Sequence, residues 1–189
     1  MRAITIVIAL LVARTAAADC EAVRTQLARD AARAHGWNLA WGLGFTGASI
    51  LQAAVAISPV SERVRDGMWV GAAKSTIGAL VHAILPLRIR EPSTCEEAEA
   101  ILRKAARDER RLFYLNHFGG LALNTAGALL LAHVQTWREG LISFAIGYPV
   151  GVLHAYTLPR GSWHVVRAIT AISAVAHDGG VTLTVAGTF

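Results

Sequence analysis

The sequence predicts an all-α fold, a polytopic helical bundle in a membrane with four firm transmembrane helices and a candidate fifth. Only 16% of the 189 residues are charged, and the mean hydropathy is +0.44. Soluble domains average roughly 25% charged residues. Four stretches are apolar and long enough to cross a bilayer, which takes ~20 helical residues. In addition, the parts of the chain occur twice in the same order, which indicates a duplicated helical hairpin.

Residues 1–18 have the layout of a secretory signal. Arg2 provides a positive start, and residues 3–13 form an apolar run that is too short to span a bilayer. Ala16-Ala17-Ala18 supplies the small residues that a signal peptidase requires. Cleavage is therefore predicted after Ala18.

The four firm spans contain one charged side chain between them, Lys74. Helices are expected because backbone groups in lipid must make their hydrogen bonds within the segment. The spans are residues 36–57, 68–87, 112–134 and 141–158. Gly67 with Gly71, and Gly147 with Gly151, have the spacing that lets helices approach closely in lipid. Helix packing is the simplest explanation of these glycines.

Residues 163–189 form the candidate fifth span. The segment is long enough, but Arg167, His177 and Asp178 interrupt it. The pair Gly179-Gly180 also weakens a helix. The alternative is an interfacial helix over residues 165–176 followed by a loose tail.

A charged amphipathic helix is predicted before the first and the third span, over residues 20–35 and 95–111. In the first, Val23, Leu27, Ala31 and Ala34 follow helical spacing. The second is preceded by Ser93 and Thr94, with Glu96 and Glu97 three residues later, which is the pattern of a capping box. Both helices are expected at the membrane surface or beyond it.

The duplication divides the chain into residues 19–88 and 89–159, followed by a C-terminal segment, residues 160–189. Each repeat has an amphipathic helix and two spans, and matching residues recur in order. These matches include Cys20 with Cys95, Asn38 with Asn116, Gly42 with Gly120, and His82-Ala83 with His154-Ala155. Two crossings per repeat make the repeats parallel, so equivalent residues lie at equal depth. Cys20 is expected level with Cys95, and His82 level with His154.

Two signals disagree about orientation. An export signal places residues 19–35 and 89–111 on the periplasmic side of a bacterial inner membrane, where Cys20 and Cys95 can form a disulfide. The positive-inside tendency favours the reverse, because most of the basic residues lie in these segments. The exported orientation is preferred. A bacterial source is inferred from the alanine content and from the basic residues, of which only Lys74 and Lys104 are lysines.

Three histidines, His82, His117 and His154, are predicted at a similar depth near the outer ends of their spans. Imidazoles on different helices can bind haem or a transition metal inside a bundle. The alternative is that each histidine hydrogen-bonds a neighbouring helix or faces interfacial water. Duplication alone can copy a structural histidine.

Lys74 is predicted to pair with Asp178 if the fifth segment crosses the membrane. An uncompensated lysine at the bilayer centre costs roughly 2.5–3.5 kcal/mol. A structural ion pair is the first interpretation, and a proton or ion relay is the alternative. Lys74 has no counterpart in the second repeat.

No motif demands catalysis, since the sequence lacks CxxC, Walker, HExxH and GxSxG patterns. The sequence therefore predicts a non-catalytic envelope accessory or interaction module. A haem- or metal-binding membrane protein and a small oligomeric transporter or channel are the alternatives. The expected partners are the lipid bilayer and either further copies of the chain or another membrane protein. Nucleic acid is excluded because basic and acidic residues are mixed rather than segregated.

Overall fold

The computed structural model describes the backbone of residues 2–177 and 180–185, and the side chains of residues 20–167. These residues form five helices and one β-hairpin, so the predicted helical fold class is confirmed apart from the hairpin. The elements are α1 (Arg2–Ile57), α2 (Glu62–Ile84), α3 (Cys95–Val134), α4 (Trp137–Tyr156), α5 (Gly161–Ala171), β1 (Ile172–His177) and β2 (Gly180–Val185).

The two predicted amphipathic helices are not separate from the spans that follow them. Residues 20–57 belong to one unbroken helix, α1, and residues 95–134 form α3. Neither stretch contains proline, the residue that most strongly breaks a helix. Because α1 begins at Arg2, it also runs through the predicted cleavage position, and cleavage itself stays a prediction.

The start of α3 confirms the predicted capping box. The backbone N–H of Glu97 donates to Thr94 Oγ1 at 3.3 Å. Glu97 reaches back, and its Oε2 accepts from the Ser93 hydroxyl at 2.8 Å. The first of these bonds satisfies a backbone donor that the first turn of a helix otherwise leaves unpaired, and the second fixes the Glu97 side chain over the helix start.

For the described residues, the prediction of a helical fifth span over residues 163–189 is wrong. The alternative prediction, an interfacial helix that extends to residue 176, is also wrong. Helix α5 ends at Ala171, and the next residues form an antiparallel hairpin. In its register Ile172 faces Val185 and His177 faces Gly180. The sequence of this part is rich in β-branched residues, which favour strands. A Gly-Gly pair between two such runs is also a hairpin signal.

The chain divides into two compact units. The first, called here the charged unit, comprises Met1–Arg33, Arg88–Arg110 and Arg160–Phe189. The second, called the apolar unit, comprises Ala34–Leu87 and Arg111–Pro159. Helices α1 and α3 therefore contribute to both units.

In the charged unit, the structure joins Cys20 to Cys95 in a disulfide, with their Cα atoms 5.6 Å apart. Further along the same two helices, Leu27, Leu102 and Ala105 form a buried cluster. Val165 and Val166 of α5 pack against this cluster. Because Cys20 and Leu27 meet Cys95 and Leu102 in the same order along the chain, these parts of α1 and α3 run parallel. Residues that the predicted repeats make equivalent thus meet.

By length and composition alone, one helix of the described residues could cross a membrane, the part of α1 from Cys20 to Ile57. Only 6% of its most apolar stretch is buried inside the protein. A second candidate arises if α4 and the start of α5, bent by 59°, are taken as one span. Lys74, His82 and Asn124 make α2 and α3 less apolar, so these two helices are not among the candidate spans. The crossing of the membrane by all four helices therefore stays a prediction.

Candidate functional site

A row of aromatic side chains on α1 forms one wall of the candidate site, which lies within the apolar unit. Trp37, Trp41 and Phe45 are four residues apart, so they share one face of the helix. The Phe45 ring packs against Gly78 on α2. A larger residue would not fit there, since its Cβ would lie 2.9 Å from the Phe45 ring. This row is not predicted from the sequence, because three aromatic residues in an apolar span are equally consistent with facing lipid.

His82 of α2 and His154 of α4 meet against this wall. Their Nε2 atoms are 2.8 Å apart, and each side chain is 7% exposed. At that distance one ring donates its N–H and the other accepts with a lone pair, so one proton lies between the two nitrogens. The two histidines that the predicted repeats make equivalent therefore form a single hydrogen-bonded pair.

The aromatic rings enclose the histidine pair. The Trp37 ring stacks on His154, with centroids 4.9 Å apart and planes 8° from parallel, and lies 4.8 Å from the His82 ring. Trp41 presents its edge to His154 at 4.9 Å. Phe45 lies 5.3 Å from the ring of His154. The pair is thus held in an aromatic cage rather than among charged groups.

Thr157, just beyond the end of α4, fixes the two indoles of the cage. Its Oγ1 accepts from Trp37 Nε1 at 3.2 Å and from Trp41 Nε1 at 3.0 Å. The same hydroxyl donates to the backbone carbonyl of Leu153 at 2.8 Å. Because buried indole N–H groups need an acceptor, one threonine sets the orientation of both rings.

His117, the third predicted ligand, is not part of this pair. Its ring packs with Phe113 and Phe118 of α3 and with Tyr156 of α4. Its buried Nδ1 has no hydrogen-bond partner among the described residues. Of the three histidines predicted at one depth, the structure brings together two.

The pair as described does not provide the room that a haem requires. A porphyrin held by both imidazoles would have to lie as a plane between the two rings. The nitrogens there are 2.8 Å apart, and the indoles of Trp37 and Trp41 occupy the space beside them. Nor does any group of three or more His, Cys, Asp or Glu residues suited to a metal occur within the described residues.

Lys74 lies among neutral partners in the apolar unit. Its Nζ donates to Asn124 Oδ1 at 3.3 Å and to Ser143 Oγ at 3.2 Å. Asn124 in turn donates from Nδ2 to the carbonyl of Gly120 at 2.9 Å. The predicted partner Asp178 lies outside the described residues. Three helices, α2, α3 and α4, thus meet around one ammonium group.

Gly147→Ala is expected to disturb this lysine and to lower the free energy of unfolding by about 1–3 kcal/mol. A Cβ at Gly147 would collide with Asn124 Oδ1 and would lie 2.9 Å from Lys74 Nζ. Gly119→Ala in α3 is the matched control, because a Cβ there meets nothing within 4 Å. The control should be neutral or gain up to about 1 kcal/mol from helix propensity. Denaturant unfolding in detergent measures both, and equal effects would contradict the packing described here.

Two buried carboxylates in the charged unit are also not among the residues predicted from the sequence. Asp30 and Glu109 are both 0% exposed. Glu109 accepts from the backbone N–H of Trp163 at 2.7 Å and of Ser162 at 3.4 Å, so it caps the first turn of α5. Asp30 accepts from the Ser162 hydroxyl at 2.9 Å and from Gln26 Nε2 at 3.0 Å.

Gly161 is required at the start of α5, since a Cβ there would collide with the Asp30 carboxylate. Burial, followed by the repulsion of nearby Asp30, raises the pKa of Glu109 to about 7. The signal for their burial is their position: Asp30 lies three residues after Leu27 and Glu109 four residues after Ala105, on the buried face of each helix.

Comparison with known protein families, with curated proteins and with solved structures finds no match for this chain. Functional conclusions therefore depend on the residues of the chain itself.

Proposed function

We propose that the protein is a non-catalytic accessory module of the bacterial envelope, an integral inner-membrane protein that assembles with copies of itself. Helices α1 to α4 cross the membrane in this proposal, with residues 19–35 and 89–111 on the periplasmic side. The bilayer and further copies of the chain are its partners.

The main support for the proposal is the distribution of polarity in the apolar unit, which buries polar side chains and exposes many large apolar ones. The buried side chains include His82, His154, Asn116 and Asn124, and half of the buried apolar residues of this unit are alanines. Many large apolar side chains point outward instead. More than half exposed are Leu39, Leu43, Ile50, Leu51, Ile57, Leu80, Ile84, Phe118, Leu129, Leu130, Val134, Trp137, Leu141, Ile146, Leu153 and Tyr156.

Such a surface is unfavourable in water and suits a hydrocarbon environment. A monomeric soluble protein rarely exposes a contiguous apolar patch beyond a few hundred Å². In lipid, helices associate instead through packing, small residues and buried hydrogen bonds. The Lys74–Asn124–Ser143 contacts and the His82–His154 pair are bonds of this kind between helices.

The periplasmic side is supported by the disulfide. Bonded cysteines persist in oxidising compartments and are rare in the cytosol. Cys20 and Cys95 belong to the two segments that an export signal would place outside the cytoplasm.

Self-association is supported by an unoccupied face of small residues on α1. Gly36, Ala40 and Gly44 are exposed at intervals of four residues. A Cβ at Gly36 or Gly44 would meet nothing within 4 Å. Leu39 and Leu43 flank the face and are 54% and 64% exposed. Small residues at this spacing let two membrane helices approach closely.

Gly44→Leu is expected to shift the purified protein from an oligomer to a monomer in mild detergent, because leucine prevents the close approach of two α1 helices. Ala126→Leu is the matched control, since Ala126 is an exposed small residue on a different helix, α3. Light scattering with detergent correction gives the mass of each. A wild-type monomer at all detergent concentrations, or an oligomer that Gly44→Leu leaves intact, would contradict the proposal. Transport by such an oligomer stays a prediction.

A further inference from the structure

We propose that the His82–His154 pair is a binding site for a single monovalent soft metal ion of the Cu⁺ class, held by two imidazole nitrogens. This site goes beyond the proposed accessory role and does not depend on it. The two Nε2 atoms approach each other directly, at a distance of 2.8 Å, inside an aromatic cage.

The two nitrogens already point at one another, which is the arrangement that a two-coordinate ion requires. Binding replaces the proton between them with the metal, and that proton moves to the Nδ1 of the same ring, so no net charge is lost or gained by the imidazoles. The nitrogens must separate from 2.8 Å to about 4 Å. A shift of about 0.6 Å by each side chain provides this separation.

The surroundings select the charge and coordination number of the ion. Zinc takes four ligands, or three with a water, and no third His, Cys, Asp or Glu joins a metal-binding group in the described part of the chain. A divalent ion would also bring a double charge into an apolar cage without a carboxylate to balance it. A singly charged ion that accepts two neutral nitrogen ligands fits both conditions, and imidazole is a good ligand for copper.

The tryptophans supply the remaining stabilisation. A cation between the two Nε2 atoms lies close to the Trp37 ring, whose centroid is 4.8 Å and 4.9 Å from the centroids of the two imidazoles. Cations within about 6 Å of an indole face are attracted to it by up to about 2 kcal/mol when desolvated. Thr157 holds the Trp37 and Trp41 indoles in place before any ion binds.

The two histidines occupy matching positions in the two predicted repeats, whereas the aromatic cage has no counterpart in the second repeat. Aligning Asn38 with Asn116 places Leu115 opposite Trp37 and Gly119 opposite Trp41 in the second repeat. The aromatic row therefore occurs once, beside the one site that the two histidines form together. Duplication of a structural histidine would explain why there are two histidines. It does not explain the aromatic cage, which has no counterpart in the second repeat.

The test uses Ag⁺, a redox-silent probe of this class, with the purified full-length protein in detergent and a chloride-free buffer. Wild-type protein is expected to bind one Ag⁺ per chain by calorimetry and elemental analysis, with quenching of tryptophan fluorescence. His82→Asn and His154→Asn should each weaken binding at least tenfold. His117→Ala is the matched control and should bind like wild type, because His117 lies outside the pair.

His154→Met separates ligation from a purely structural role. A thioether is a soft ligand, so this variant should keep binding within about tenfold, whereas asparagine retains hydrogen bonding but not affinity. The Cys20→Ser, Cys95→Ser protein should bind normally, which excludes thiols as the source. The proposal is overturned if wild type binds no Ag⁺, if His82→Asn or His154→Asn binds as tightly as wild type, or if His117→Ala abolishes binding. If an asparagine variant does not fold, His154→Met provides the test. Retained Ag⁺ binding by this variant supports the proposal, and loss of Ag⁺ binding overturns it.

Discussion

Replacing Cys20 and Cys95 together with serine is expected to lower the free energy of unfolding by about 4 kcal/mol. The disulfide closes a loop with a sequence separation of 75 residues. In the chain-entropy description, cross-linking a loop of this length removes that much conformational freedom from the unfolded state. The effect is a large fraction of the stability of a typical domain, which is about 5–15 kcal/mol.

Denaturant unfolding with and without dithiothreitol measures the contribution of the disulfide. Wild-type protein should lose stability on reduction, while the double serine variant should be insensitive to the reductant. Serine in place of cysteine changes little else, since each residue then carries a small hydroxyl at the same position. A wild-type unfolding curve that is unchanged by full reduction would contradict the prediction.

Stability is also expected to fall by up to about 3 kcal/mol as the pH rises from 4.5 to 7, because of Glu109. Burial raises the pKa of this carboxyl from 4.5 to about 7 in the folded protein, and nearby Asp30 adds to the effect. The folded state therefore holds a proton that the unfolded state has released. The stabilising contribution is complete below pH 4.5 and is lost by the time the pH has passed through 7.

Glu109→Gln is expected to remove this pH dependence, because a neutral amide of the same shape can still accept from an N–H at the start of α5. The matched control is Glu99→Gln, at an exposed position on the same helix where Glu99 pairs with Arg103. Its curve should keep the fall between pH 4.5 and 7. Unfolding at pH 5 and pH 8 measures each variant. Parallel pH profiles for wild type and Glu109→Gln would rule out this role of Glu109.

The predicted repeat accounts for much of what could be expected from the sequence. It places Cys20 level with Cys95 and His82 level with His154, and the structure joins the first pair and brings the second to 2.8 Å. Equal depth follows from the repeat order alone, without knowledge of how each helix is rotated. The capping box at Thr94 is similarly local, because it needs only residues three positions apart.

Other features depend on side-chain direction, which the sequence pattern does not determine. The aromatic row on α1 faces the histidines only because α1 has one particular rotation about its axis. Asp30 and Glu109 are buried because α5 packs with its first turn against them, and their neighbours in sequence are charged. The hairpin after Ala171 was missed because an apolar β-branched run is equally consistent with a span.

Single cysteine reporters in intact cells test the proposed topology, in which four helices cross the membrane and the charged helices lie outside the cytoplasm. Pro59→Cys, Glu91→Cys and Arg138→Cys each add one exposed thiol, while Cys20 and Cys95 are bonded to each other and do not react. With a membrane-impermeant reagent, we expect Glu91→Cys to label in intact cells and the other two variants to label only after lysis. Labelling of all three from one side would contradict the four crossings, and the reverse pattern would contradict the orientation.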